Sequence, residues 1–162
     1  MLTQTEAWSA LEQIPDPEIP VVSVCELGIV REVRIEADAA TVVITPTYSG
    51  CPATEMIEAS IRQALLEAGW RNVHVERRLA PAWSTDWIAP AAAAKLRDYG
   101  IAPPHATGPR EAQVVRFTAP TPACPRCGSA RTQRLSEFGS TACKALYRCN
   151  ACSEPFDYFK PI

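Results

Sequence analysis

The sequence predicts an α+β fold, in which a small sheet covered by helices is followed by a C-terminal β module held together by cysteines. Up to residue 100, helical and strand patterns run in the order α-β-β-α-β-α, which is typical of one sheet with helices packed on it. Five of the seven cysteines lie in the last 39 residues, after a proline-rich stretch. We therefore expect an α+β domain at residues 1–101, a linker with one short strand at 102–120, and a β module at 121–162.

The first elements carry clear local signals. Thr3-Gln4-Thr5-Glu6 fits a capping box, which predicts a helix that ends near Pro15. The alternation after residue 28 and the β-branched stretch TVVITP predict a hairpin. A bulge is expected at residues 32–33, where the alternation slips.

A second helix, a third strand and a third helix follow. Apolar residues recur at helical spacing from residue 57 to 65, with Pro52 placed for the first turn and Gly69 for the position after the helix end. NVHVERRL alternates as a short strand, and residues 90–99 form a helix that ends at Gly100. The proline-rich stretch that follows is interpreted as a linker, with its strand around residues 112–118.

Composition excludes several classes of protein. The chain has 162 residues, of which 47% are hydrophobic and 21% charged, as in globular proteins. No stretch approaches the ~20 apolar residues that span a membrane. The N-terminus lacks the basic region and apolar core of a secretory signal. We expect a cytoplasmic protein with no membrane partner, in which disulfides are a poor explanation for seven cysteines.

The C-terminal cysteines form two pairs with metal-ligand spacing. CPRC at 124–127 and CNAC at 149–152 are separated by 21 residues, and two predicted strands, RTQRLSEFG and KALYRC, lie between them. Each pair suits a tight turn that directs two sulfurs to one point, and two such turns form a tetrahedral zinc site. Four thiolates also suit an iron–sulfur cluster. The pattern predicts a zinc ribbon with Cys124, Cys127, Cys149 and Cys152 as ligands of a structural zinc ion.

Cys143 is a fifth cysteine in this module, six residues before Cys149. Three interpretations are open. It is a small packing residue, a reactive or transfer thiol, or a replacement ligand for the metal.

Charge is divided unevenly along the chain. Residues 1–105 carry 14 acidic and 8 basic residues, whereas residues 106–162 carry 4 acidic and 8 basic residues. A basic module with aromatic side chains can bind nucleic acid. Its Lys and Arg residues form no run, however, and aromatic residues beside a small metal site usually form its core. We therefore expect no nucleic-acid partner.

Three residues of the first domain form a possible second site. Asp16 and Glu18 flank Pro17 in DPEIP, and Cys51 stands between a glycine and Pro52 where a strand ends and a helix begins. We predict Cys51 at the N-cap, where the positive end of the helix stabilises a thiolate. A thiolate beside carboxylates could hold iron. The alternative is that Cys51 is a small buried residue and the carboxylates are turn formers.

DPEIPVVSVCELGIV and ITPTYSGCPATEMIEASI resemble the SufT-like domain, which also occurs in eukaryotic cytosolic iron–sulfur assembly proteins. The motifs of that family are a DPE turn, D-L-G-(L/I)-V and T-x-x-x-C-P. The second motif reads Glu26-Leu27-Gly28-Ile29-Val30 here, with glutamate where aspartate is usual. Over nearly its full length the chain resembles the PaaD (or PaaJ) family. The stretches that carry this resemblance are PAWSTDWI, FGSTACKALYRC and PFDYFK. Proteins of that family are encoded together with the multicomponent phenylacetyl-CoA epoxidase.

This resemblance implies a SufT-like domain fused to a zinc ribbon, and an accessory protein rather than an enzyme. It implies iron or iron–sulfur cluster insertion or repair for the ring-1,2-phenylacetyl-CoA epoxidase of phenylacetate degradation. The implied partners are the iron–sulfur assembly machinery and one subunit of the epoxidase, either the reductase or the di-iron oxygenase subunit. A homodimer is compatible with this resemblance. The family's thiol maps onto Cys51 and its acidic turn onto Asp16 and Glu18, which would hold iron or a cluster transiently. Cys25 is expected in the core.

Two alternative functions remain at this point. The first is a non-catalytic structural subunit or scaffold of the oxygenase complex. The second is a nucleic-acid-binding regulator built on the ribbon. An enzyme is not expected, because neither His74 nor His105 has a local partner that suggests a triad and no glycine-rich phosphate loop occurs.

Overall fold

The structure is a computed structural model that describes residues 2–106 and 120–162. Contacts divide the chain into two compact units, one formed by Met1–Trp83 with Trp87–Ala92 and the other by Ser84–Asp86 with Ala93–Ile162. The expected limits of the domains stay a prediction, and the strand expected at 112–118 lies outside the described residues. In the described part of the chain, no helix is long and apolar enough to cross a membrane.

The first unit contains one three-stranded sheet and two helices. Its sheet has the order β1-β2-β3, with β1 antiparallel and β3 parallel to the central strand β2. Helix α1 contacts β1 and α2, and α2 also contacts β3. These elements are α1 (Gln4–Leu11), β1 (Val30–Glu36), β2 (Ala39–Ile44), α2 (Ala53–Glu67) and β3 (Asn72–Arg77).

Most local signals of the first unit are confirmed, although α1 ends at Leu11, four residues before the expected end at Pro15. The Thr3 side chain and Glu6 form the predicted capping box at the start of α1. The register of the hairpin shifts between Val30 and Glu32, one residue before the expected position of the bulge. At the end of α2, Gly69 has a φ of +106° and Trp70 N donates to the carbonyl oxygen of Leu65, which is the Schellman arrangement.

The second unit contains a four-stranded sheet in the order β4-β7-β6-β5, in which β4 is parallel to β7 and the other pairs are antiparallel. The helix expected at 90–99 is present as α3 (Pro90–Tyr99), and this unit includes it from Ala93 onward. The two strands expected between the cysteine pairs are present, whereas β4 and β7 were not predicted. The strands are β4 (Ile101–Ala102), β5 (Thr132–Ser136), β6 (Lys144–Cys149) and β7 (Pro155–Phe159).

Aromatic side chains form the core of the second unit. The Tyr147 ring stacks on Phe156 with centroids 5.9 Å apart and meets the edge of Tyr158 at 5.5 Å. Phe159 is buried, while Phe138 is 61% exposed. Four of the aromatic residues that could have stacked on nucleic-acid bases, Tyr147, Phe156, Tyr158 and Phe159, are therefore core residues.

Candidate functional site

The four paired cysteines of the second unit come together. Their sulfurs all lie within 4.8 Å of one another, and two of the separations are 3.8 Å (Cys124–Cys152) and 3.6 Å (Cys127–Cys149). Zn–S bonds of about 2.3 Å in a tetrahedron place neighbouring sulfurs about 3.8 Å apart. The sulfurs therefore fit a structural zinc ion, and an iron–sulfur link is compatible with the same set.

Backbone hydrogen bonds shape both cysteine turns. In the first turn Gly128 has a φ of +73° and its N–H donates to the carbonyl oxygen of Cys124. In the second, the backbone N–H groups of Cys152 and Ala151 donate to the sulfur of Cys149 and lower the pKa of that thiol to about 6. The neighbouring sulfurs and burial act in the opposite direction on two of the other thiols: they raise the pKa of Cys127, and that of Cys152 to about 12. The thiolate is the form that binds metal, so the backbone donors favour Cys149 as a ligand.

The four ligands differ in exposure. Cys124 and Cys149 are buried, whereas Cys127 and Cys152 are exposed. One side of the site therefore packs against the ribbon core and the other faces solvent.

Cys143 lies outside this group of sulfurs. It is buried, and its Sγ lies 3.0 Å from the hydroxyl oxygen of Thr141. The structure thus offers no support for Cys143 as a replacement ligand, and the packing and thiol interpretations remain.

Cys51 lies at the start of α2, but not at the position predicted. Pro52 is the N-cap and Ala53 the first helical residue, so the assignment of Cys51 to the N-cap is wrong by one residue. The proline already has α-helical φ and ψ angles, and the carbonyl oxygen of Cys51 accepts a hydrogen bond of 3.1 Å from Thr54 N. The side chain is half-buried, between the exposed Gly50 and the helix.

The acidic turn has a structural function. Asp16 is buried, and its Oδ1 accepts hydrogen bonds from the backbone N–H groups of Glu18 (2.9 Å) and Ile19 (2.8 Å). This is the hydrogen bonding of an Asx turn, so the alternative of a turn former holds for Asp16. Within the described ranges, Asp16, Glu18 and Cys51 do not form a set whose ligand atoms all lie within 4.8 Å of one another.

Glu26 forms a second capping box with Ser23, which explains a glutamate at this position. This capping box was not predicted, although its Ser-x-x-Glu pattern is visible in the sequence. Glu26 Oε2 accepts from Ser23 N at 2.9 Å, and Ser23 Oγ accepts from Glu26 N at 3.1 Å. The neighbouring Cys25 is half-buried, and burial raises the pKa of its thiol to about 12, with Glu12 and Glu26 adding to the effect. Cys25 is therefore only partly buried and does not belong to the buried core in which it was expected.

The two histidines lie in different units. His74 is exposed on β3. His105 is half-buried, and its Nδ1 lies 2.8 Å from the hydroxyl oxygen of Tyr158.

Comparison with known proteins assigns a family to each part of the chain. Residues 4–76 match the model of iron–sulfur cluster assembly proteins, and residues 108–160 match that of the PaaD zinc β ribbon domain. The α+β fold with a C-terminal zinc ribbon is thereby confirmed. A crystal structure of a domain of unknown function (DUF59) from Bacillus anthracis is 25% identical, covering 57% of this chain and 90% of that chain, with a TM-score of 0.53.

Two curated proteins are similar over most of their own length. An Escherichia coli K12 protein, named as one subunit of a "Putative 1,2-phenylacetyl-CoA epoxidase", is 51% identical over 97% of this chain and 92% of its own. An "Fe-S protein maturation auxiliary factor" from Porphyromonas gingivalis is 31% identical over 58% of this chain and 90% of its own.

Proposed function

Because the chain belongs to the same family as this E. coli epoxidase protein, we propose that it is an accessory factor for a 1,2-phenylacetyl-CoA epoxidase that assists insertion or repair of an iron centre. The observation that carries this proposal is the combination of two matches. One relative, similar over nearly the whole chain, is named after the epoxidase, and another, similar over the first part, is named a maturation auxiliary factor.

The proposal assigns the metal-handling step to the first unit. Iron or an iron–sulfur cluster is the cargo, and Cys51 holds it through its thiolate while it passes to the client. Cys51 suits this step because it is half-buried and directly precedes Pro52, the N-cap of α2, and the N-terminal end of a helix carries a positive partial charge. Asp16 holds the neighbouring DPE turn through its hydrogen bonds to the backbone N–H groups of Glu18 and Ile19, so the role given to this turn is structural.

The second unit has a different role in this account. Cys124, Cys127, Cys149 and Cys152 hold a structural zinc ion, and the metal supplies folding free energy that a module of this size lacks. The ribbon then docks the client, which is the reductase or the di-iron oxygenase subunit. The protein itself performs no catalysis and works in the cytoplasm beside the iron–sulfur assembly machinery.

A second candidate function is a permanent, non-catalytic subunit of the oxygenase complex. The word "subunit" in the name of the E. coli relative favours it. A subunit of this kind co-purifies at fixed stoichiometry, whereas a maturation factor leaves its client once the client is loaded.

One experiment separates these functions. The epoxidase is purified from cells that make or lack the accessory protein, and its iron content and subunit stoichiometry are measured. We expect low iron with unchanged stoichiometry in the deficient cells, and a recovery of iron when the missing protein is restored. Full iron together with a collapsed complex in the deficient cells supports the structural subunit instead.

A further inference from the structure

The second unit contains a cavity of about 250 Å³ beside the first cysteine turn. One wall is formed by the end of α3 and the chain after β4, and the other by residues on either side of Cys124. Ligand pockets for drug-sized molecules occupy about 300–1,000 Å³, so this cavity suits a smaller molecule. It is lined by Arg97, Ala102, Pro103, His105, Pro122, Ala123, Cys124, Pro125 and Gly128.

Most of the lining is apolar and stiff. Three prolines and two alanines contribute to it, and none of these side chains offers a hydrogen-bond donor or acceptor. Proline rings fix their own φ angle, so the walls lose little conformational freedom when a ligand enters. The body of a matching ligand is therefore compact and apolar.

Two polar side chains of the described residues line the cavity, those of Arg97 and His105. Arg97 lines the cavity, and its guanidinium forms no ion pair with any residue in the described ranges. His105 also lines it, and the bond of its Nδ1 to the Tyr158 hydroxyl leaves Nε2 as the remaining polar atom of the ring. No aspartate or glutamate is among the lining residues that the structure describes.

From this combination we infer that the cavity binds a small monocarboxylate with an apolar body. The planar fork of one guanidinium matches one carboxylate, and the proline and alanine walls match the hydrocarbon part. An inorganic phosphate or sulfate is the poorer match, because it offers nothing to the apolar walls. This site is separate from Cys51 and does not depend on the proposed function.

The test is isothermal titration calorimetry of the zinc-loaded full chain with benzoate, and with benzyl alcohol and inorganic phosphate as comparison probes. Benzoate is expected to bind at least about tenfold more tightly than either, because only it has both the charge and the apolar body. Arg97→Gln is expected to weaken benzoate binding about tenfold or more, as loss of a charge-assisted hydrogen bond does. Arg148→Gln is the matched control, since Arg148 is exposed on β6 and does not line the cavity.

A second variant tests the shape of the cavity without removing charge. Ala123 lines it and is exposed, so Ala123→Leu fills space with little disturbance of the core. Loss of benzoate binding in this variant, with zinc content and circular dichroism unchanged, supports the site. The inference is overturned if benzoate fails to bind the wild-type protein, if phosphate binds as well as benzoate, or if Arg97→Gln and Arg148→Gln bind benzoate equally.

Discussion

A Cβ atom placed on Gly28 would lie 2.6 Å from the carbonyl oxygen of Trp87. Gly28 also has a φ of +70°, and the adjacent Leu27 accepts a hydrogen bond of 2.9 Å from Trp83 Nε1. The guanidinium of Arg31 lies 3.6 Å from the Trp87 ring centroid. The turn before β1 is therefore closely covered by the segment that carries both tryptophans, which explains a glycine within ELGIV.

We predict that Gly28→Ala destabilises the first unit by about 2–4 kcal/mol, because backbone strain at positive φ adds to overpacking. Gly50→Ala is the matched control, since Gly50 has a φ of +84° but nothing within 4 Å of its added Cβ. The control should lose only about 1–2 kcal/mol of unfolding free energy, because it has the backbone strain without the overpacking. Urea denaturation measures both, and equal losses would contradict the packing described at Trp87.

Cys25 should resist alkylation in the folded protein. With a pKa of about 12, only about one molecule in ten thousand carries its thiolate at pH 8. Iodoacetamide labelling of the zinc-loaded protein, followed by mass spectrometry, should modify Cys51 before Cys25, and Cys25 only after urea is added. Rapid labelling of native Cys25 would show that burial does not hold its thiol neutral.

Because the pKa of the Cys25 thiol is raised in the folded protein, we expect the protein to lose stability at alkaline pH. The folded protein keeps the Cys25 proton up to a pKa of about 12, whereas the unfolded chain releases it near pH 8.5. The unfolded state therefore binds fewer protons in this window, so stability falls as the pH rises through it. Wild type should lose more stability than Cys25→Ala between pH 8 and pH 10, and parallel pH profiles would exclude the effect.

Zinc content should distinguish two buried cysteines of the ribbon. Cys149→Ser is expected to reduce zinc from about one ion per chain to nearly none and to unfold the β5–β7 strands, because the metal supplies folding free energy. Cys143→Ala should keep its zinc, since Cys143 lies outside the group of four sulfurs. Elemental analysis and circular dichroism measure both changes, and zinc loss in Cys143→Ala would make it a ligand after all.

Much of the fold could be predicted because its signals are local. The Thr3 capping box, the hairpin and the helix that ends at Gly69 each depend on residues near one another in sequence. The same holds for the two cysteine turns, whose spacing predicted the grouping of four sulfurs. Strand β4 could not be found this way, because Ile101–Ala102 is a strand only through its pairing with Asp157 and Tyr158.

The first candidate site shows the same limit. The turn-forming hydrogen bonds of Asp16 are local and follow from DPE, whereas the relation between that turn and Cys51 depends on long-range packing. Sequence patterns identified Asp16, Glu18 and Cys51 as candidates but could not predict the distances between them. The cavity beside Cys124 was missed for a similar reason, because Arg97, His105 and Pro122 are neighbours only in the folded chain.

The most direct test of the proposed function is the iron content of the epoxidase purified from cells that make the Cys51→Ala protein. Cells with the wild-type protein and with Cys25→Ala serve as controls, since Cys25 is another half-buried thiol of the same unit and has no assigned role in handling the metal. We expect under-loaded iron and reduced epoxidase activity with Cys51→Ala alone. Full iron and full activity in those cells would contradict a role for the Cys51 thiol in handling the metal.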